Sequence, residues 1–257
     1  MHPTLIDLGF FALPTYGVLL VVGLTLGLLT ARSRANATGL PGDRVLDLGL
    51  WVVLWGLVGS KVLLVLTEPG YLSSWRSVLG LVRAGGVFYG GLLGAMAAAA
   101  VLLHRWRLPA LPLVDALVPS VALGHFFGRL GCFAAGCCYG SACGHCLSVT
   151  FSDAKAAELS GTPLHLPLHP VQVYEAGFNL LNYLLLAWLF RRRLRPGAVL
   201  AVYLITYGVA RFGLEFLRGD PDRGFVLGGL FSTSQLIAAL LVPAGLGLLV
   251  WVRRHRE

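Results

Sequence analysis

Apolar residues run in long blocks along this chain, and polar residues gather in short stretches between them. The blocks cover about Tyr16–Ala31, Val45–Leu66, Val87–Leu103, Leu113–Leu130, Val171–Phe190, Ala198–Leu217 and Phe231–Val252. A helix crossing a hydrocarbon core needs about 20 mostly apolar residues, so the pattern predicts an all-α, polytopic membrane protein of about seven transmembrane helices. One long polar stretch, residues 131–170, separates the fourth block from the fifth. No Pro-rich or Ser-rich linker interrupts the series, so residues 1–257 are expected to form a single transmembrane domain with 131–170 as a loop of it.

Composition agrees with this reading. The 257 residues are 56% hydrophobic and 12% charged, whereas soluble domains carry about 25% charged residues. Glycine is frequent, and pairs spaced by four recur at Gly23/Gly27, Gly90/Gly94 and Gly124/Gly128. Small residues at that spacing let membrane helices approach closely, and packing alone explains them. The net charge of +8 raises the question of nucleic acid. The basic residues form short clusters at the ends of apolar blocks rather than a stripe with interleaved aromatics, so no nucleic-acid partner is expected. Arg32, Arg34, Arg44, Arg105, Arg107, Arg191, Arg192, Arg193, Arg195, Arg253, Arg254 and Arg256 fall on one set of alternating loops and tails. Only Arg76, Arg83, Lys155, Arg218 and Arg223 fall on the other. The positive-inside bias then puts the N-terminus outside and the C-terminus in the cytoplasm.

Ionisable groups within spans are costly and usually mark function or a paired structural site. With this topology Tyr16, Lys61, Tyr89, Arg129, Glu175, Arg211 and Glu215 fall in the outer half of the bilayer, and Asp115 alone near the inner face. That clustering suggests one polar cavity opening toward the outer leaflet. Tyr207, Arg211 and Glu215 are spaced by four and share a helix face; they are either a self-neutralising pair or a cationic site tuned by a carboxylate. No acidic residue lies within a helical turn of Arg129. An arginine left unpaired there needs a phosphate or carboxylate partner, and its planar fork suits phosphate. Membranes supply phosphate as lipid headgroups, so a phospholipid-handling site is expected.

All five cysteines, Cys132, Cys137, Cys138, Cys143 and Cys146, lie in the loop region that this topology puts outside, an oxidising compartment in many bacteria. A disulfide or a free thiol is expected among them, and an odd number leaves at least one thiol over. Cys143 and Cys146 with His145, His165 and His169 match no strong zinc spacing, so no metal is expected. No P-loop, no GxGxxG after a strand, no HExxH and no GxSxG elbow occurs, and no cofactor is expected.

Several segments now read together. Gly128-Arg129-Leu130-Gly131-Cys132-Phe133-Ala134-Ala135-Gly136-Cys137-Cys138-Tyr139-Gly140 resembles the GRxGNFxNxExxG signature of the bacterial prolipoprotein diacylglyceryl transferases. His169-Pro170-Val171-Gln172-Val173-Tyr174-Glu175-Ala176 resembles their HPxQxYEA segment, and Tyr207 to Arg218 resembles their YGxxRFxxEFxR segment. Gly85 to Gly91 resembles GGxxFHGG, Tyr16-Gly17 the WYG start of the first span, and Ser232 to Gln235 the SxxQ opening of the last. The order of the motifs is the family's.

The resemblance implies a multi-pass enzyme of the bacterial cytoplasmic (inner) membrane. It would transfer the diacylglyceryl group of phosphatidylglycerol to the lipobox cysteine in a prolipoprotein signal peptide, the first step of lipoprotein maturation. Arg129 would bind the headgroup, with Gly128, Gly131, Gly140 and Lys61 about it. Arg211 would be a second cation oriented by Glu215, and Tyr16 and Tyr207 hydrogen-bond donors. The departures fall on the proton-handling half. The family's signature Asn and Glu are Cys132 and Cys137 here, its His is Tyr89, and Lys61 replaces its usual Arg. A tyrosine with pKa near 10 is a poor base at neutral pH. The alternatives are therefore a divergent paralogue that transfers another lipid or group, a thiol-based membrane redox or metal protein, and a non-enzymatic lipid binder.

Overall fold

The computed structural model describes residues 2–9, 12–83, 86–144, 147–220, 224–226 and 229–255. Gly85, His145, Cys146, Arg223 and Arg256 lie outside the described residues. The chain is built from helices, as expected: α1 Thr15–Ala37, α2 Gly42–Thr67, α3 Trp75–Arg83, α4 Phe88–Arg105, α5 Ala110–Ala135, α6 Ala154–Ser160, α7 Val171–Arg191, α8 Ala198–Leu214 and α9 Thr233–Arg254. Among the described residues, three antiparallel two-stranded pairs accompany them: Thr4–Asp7 with Ala12–Pro14, Val149–Thr150 with Pro167–Leu168, and Phe225–Val226 with Phe231–Ser232.

Six helices among the described residues are long and apolar enough to cross a membrane: α1, α2, α5, α7, α8 with the turn that extends it to Leu217, and α9. The remaining expected span corresponds to α4, which has 18 residues and ends in His104 and Arg105. Large apolar side chains stay exposed along these helices, among them Val21, Leu57, Leu93, Leu181, Val209 and Leu240. In water that exposure would be unfavourable; facing lipid it costs nothing.

The chain divides into two compact units, Met1–Thr30 with Val114–Glu257, and Ala31–Leu113. In the second unit α2 and α4 run antiparallel with their backbones nearly touching. A Cβ on Gly90 would lie 2.4 Å from the Gly59 carbonyl oxygen, and one on Gly94 2.4 Å from that of Trp55. The Gly90/Gly94 spacing is thus a packing face. Lys61 on α2 donates from Nζ to the Leu81 carbonyl at 2.8 Å, and Tyr89 stands half-exposed at the start of α4. Trp75, Val78 and Leu79 of the short α3 are all exposed, with i, i+3, i+4 spacing that puts them on one face.

In the first unit α5 packs antiparallel on α1. A Cβ on Gly23 would meet the Phe127 side chain at 2.7 Å, and Ser120 Oγ donates to the Gly27 carbonyl at 2.6 Å. Nothing lies within 4 Å of a Cβ on Gly124 or Gly128, so this third glycine pair is not a packing face among the described residues. Val118 and Ala122 of α5, Leu186 of α7 and Val199 of α8 form a small buried core. α9 packs back along α8, with Gly208 against the Ala238 carbonyl and Gly245 against that of Ala201.

Both ends of α8 and α9 are tied down by polar groups. Asp115 accepts from Gly197 N at 2.7 Å and Leu200 N at 2.9 Å, satisfying the open first turn of α8 from a neighbouring helix. That accounts for the one ionisable residue that stood apart from the rest. Arg195 donates to the Val252 carbonyl at 3.2 Å, near the end of α9. The SxxQ motif is a capping box: Ser232 Oγ accepts from Gln235 N at 3.2 Å, and Gln235 Oε1 from Ser232 N at 3.0 Å.

Candidate functional site

The antiparallel alternation within the first unit brings one end of each long helix together. The start of α1, the end of α5, the start of α7, the end of α8 and the start of α9 meet there, opposite the Asp115–Gly197 end. Four charged side chains connect them. Arg129 Nε lies 3.0 Å from Glu175 Oε1, Glu175 Oε2 lies 3.7 Å from Arg211 Nη1, and Arg211 Nη2 lies 2.8 Å from Glu215 Oε2. Arg211 also donates from Nη2 to Ser234 Oγ on α9, at 3.0 Å.

This corrects one expectation and extends another. Arg129 is not unpaired; its carboxylate partner comes from a different helix, which distance along the chain concealed. The Arg211–Glu215 pair expected from the spacing of four is present, and Glu175 joins it to Arg129. Two positive and two negative charges balance, which is what makes their burial tolerable, because removing one partner of a buried pair costs about 3–5 kcal/mol. Exposure separates the two cations. The Arg129 side chain retains 21% of its accessible surface and Arg211 9%, while Glu175 and Glu215 retain 4% and 1%. Arg129 is therefore the more accessible of the two cations. Glu175 engages it through Nε, and the terminal Nη groups of a guanidinium are the donors that fit phosphate in a planar fork.

Aromatic groups line the same end. Tyr207 stacks on Tyr203 with ring centroids 5.5 Å apart and lies 5.3 Å from the ring of His125. His125 was not anticipated, although its position four residues before Arg129 puts both on one face of α5. Its buried Nδ1 has no hydrogen-bond partner among the described residues. Tyr16 is half-exposed and packs over Gly131, where a Cβ would come within 2.9 Å of its ring. Gly131 thereby sets how closely α1 approaches α5.

The residues after α5 are pinned by backbone pairing. Gly140 N donates to the His169 carbonyl at 3.1 Å, Ser141 N to that of Leu217 at 2.8 Å, and Gly219 N to that of Tyr139 at 3.1 Å. A Cβ on Gly140 would fall 2.4 Å from the His169 oxygen, so only glycine fits. Gln172 Nε2 donates to the Cys137 carbonyl at 2.8 Å. Tyr139, Phe151 and Leu168 form a small buried core beneath the loop. Arg218 forks onto Asp220, with Nε 2.8 Å from Oδ1.

The described cysteines, Cys132, Cys137, Cys138 and Cys143, carry free thiols. Cys143 is buried within the loop, while the sulfurs of Cys132, Cys137 and Cys138 lie within 4.8 Å of one another. Hydrogen bonds from Cys132 and Cys137 hold the Cys138 thiol well below its ordinary range, helped by Arg129 and Arg218 nearby. Hydrogen bonding to Cys132 and Cys138, with burial, pushes the Cys137 thiol up.

Residues 3–251 match the family model described as prolipoprotein diacylglyceryl transferase. The chain belongs to that family. A phosphatidylglycerol–prolipoprotein diacylglyceryl transferase of Clostridium tetani is 32% identical to it, over 96% of this chain and 96% of its own. Enzymes of the same description from Geobacillus kaustophilus and Chlorobaculum tepidum are 32% and 30% identical, over 98% and 100% of this chain and 92% of each of theirs. Arg129, Gly131 and Gly140 of the transferase-like signature, Glu175 of the HPxQxYEA segment and Arg211 and Glu215 of the YGxxRFxxEFxR segment meet at one end of the first unit.

Proposed function

We propose that the chain is a phosphatidylglycerol–prolipoprotein diacylglyceryl transferase, acting in the first step of lipoprotein maturation. It moves the diacylglyceryl group of phosphatidylglycerol to the cysteine thiol in the lipobox of a prolipoprotein signal peptide. Family membership over nearly the whole chain carries this reading, and the buried Arg129–Glu175–Arg211–Glu215 network supports it. Arg129 receives the headgroup phosphate. Arg211, fixed by Glu215 and Ser234, holds Glu175, and through it Arg129, in place. Among the described residues nothing lies within 4 Å of a Cβ on Gly128, beside Arg129, which supports an approach of the phosphate on that side. Tyr16 and Tyr207 supply hydroxyl donors at the same end. As the glyceryl carbon passes from oxygen to sulfur, charge builds on the departing phosphate oxygen, and fixed cations stabilise it most there.

The protein works in the cytoplasmic membrane with this end toward the outer leaflet, because the arginine-rich ends of α7 and α9 mark the cytoplasmic side. The unit boundaries at Thr30 and Leu113 fall inside α1 and α5, which supports reading residues 1–257 as a single membrane domain.

The test gives purified protein in phosphatidylglycerol-containing micelles a lipobox peptide, followed by mass. The wild-type product gains one diacylglyceryl group. Arg129→Ala makes none and binds the phospholipid more weakly. Arg129→Lys loses most of the rate, because an ammonium does not replace the planar fork. An active Arg129→Ala protein overturns the site, and wild-type protein that binds the lipid without forming product overturns the activity.

A further inference from the structure

The transfer chemistry leaves the thiols of Cys132, Cys137, Cys138 and Cys143 without a role, and the first three gather at one turn. Cys132 lies on the last turn of α5. Gly136 at φ +80° and Cys138 at φ +58° then turn the chain back through left-handed conformations. A residue other than glycine is strained there and keeps that conformation only where its surroundings hold it. Here Gln172 holds the Cys137 carbonyl, and the pairing of Tyr139 and Gly140 holds the turn from the other side. The result is three sulfurs from one turn, each partly exposed, all within 4.8 Å of one another. A disulfide would join two and strand the third. A tetrahedral zinc with Zn–S bonds of about 2.3 Å sets its sulfurs about 3.8 Å apart, a shift of about 1 Å at most from what is seen. Two of the three thiols stand where the transferase signature has Asn and Glu. Arg129 lies close enough to act on Cys132 and Cys138, and Arg218 on Cys138, so the two offset part of the negative charge gathered there.

We propose that Cys132, Cys137 and Cys138 form a three-thiolate site for Zn²⁺, whose fourth position takes the thiol of the acceptor peptide. Three protein ligands and an open fourth position are the arrangement of catalytic zinc, and a thiol bound to zinc is deprotonated outright. The part concerning the acceptor rests on the transferase reading above. The acceptor thiol gives its proton to water as its sulfur binds. That sulfur then bonds to the glyceryl carbon, the carbon–oxygen bond to phosphate breaks, and the electron pair leaves on glycerol phosphate beside Arg129. Thiol activation would then need no imidazole at position 89.

Full-length protein, reduced and stripped with a chelator, is titrated with Co²⁺ in detergent. The expected result is thiolate-to-metal charge-transfer absorption that saturates at one ion per chain and is displaced by Zn²⁺. Cys132→Ser and Cys137→Ser lose it while unfolding at the wild-type temperature, and Cys143→Ser keeps it. A lipobox peptide shifts the visible cobalt bands, and the same peptide with Ser for its Cys does not. No charge transfer in the wild type, or absorption that survives Cys132→Ser, overturns the site. Equal shifts with both peptides overturn the acceptor as fourth ligand. A cysteine-specific shift without lipidated product from zinc-loaded protein supports the site and sinks the transferase reading instead.

Discussion

Glu175 holds an arginine on each of its oxygens, 3.0 Å from Arg129 and 3.7 Å from Arg211. Its charge keeps two guanidinium groups side by side, and on the proposed reading it would compete with a phosphate for Arg129. Glu175→Gln keeps the shape and removes that competition. The arginines then bind a ground-state phosphate more tightly but lose the orientation that aims them at the departing oxygen. Tighter phosphatidylglycerol binding with kcat down about 100-fold is expected, the loss typical of one misdirected transition-state donor. Titration of the phospholipid and single-turnover rates measure the two effects; weaker binding with unchanged turnover would show that Glu175 only supports the fold. The chemistry of this cluster was partly legible in the chain. Arg211 and Glu215 announce their pairing by a spacing of four. Arg129 and Glu175 do not, since pairing across helices depends on which faces dock, and hydropathy does not encode that. The same blindness hid His125 behind Tyr207, and the meeting of Cys132 with Cys137 and Cys138, which depends on two left-handed residues in one turn.

Helix packing in a membrane lacks the hydrophobic drive that helps it in water, so close backbone contact carries more of the association. α2 and α4 show this at Gly59, Gly90 and Gly94. Gly94→Leu would push its side chain into the Trp55 carbonyl and force the helices apart, with an expected cost of about 1–3 kcal/mol, as for other overpacked sites. A Cβ on Gly124 meets nothing within 4 Å among the described residues, so Gly124→Ala serves as the control. Thermal unfolding in detergent should show a lower midpoint for the first and none for the second; equal midpoints would remove the glycine contact as a source of stability. Helix positions were well legible, because twenty-residue apolar blocks leave little choice. Their ends were less so. α5 runs past Leu130 to Ala135, carrying Cys132 onto the helix, where it was expected in the loop. α1 continues through Arg32 and Arg34 to Ala37, since long basic side chains can follow a helix out of the apolar layer.

At the scale of the molecule, the end of the first unit that bears Arg129, Glu175, Arg211 and Glu215 lies opposite the end that bears Arg191, Arg195, Arg253 and Arg254. If the basic end faces the cytoplasm, the charged network takes its phospholipid from the outer leaflet and its peptide after export has begun. Orientation therefore decides which pool of lipid is consumed. A protease site inserted between Ser160 and Gly161, in the loop at the network's end, should be cut in intact spheroplasts. The same site appended after Glu257 should be cut only after the membrane is opened. The loop insertion must retain activity, so that the orientation measured is that of the working protein. The opposite pattern would place Arg129 on the inner leaflet and Cys138 in a reducing compartment. In that case the positive-inside bias would have been overridden, and the acceptor would be reached before export rather than after it.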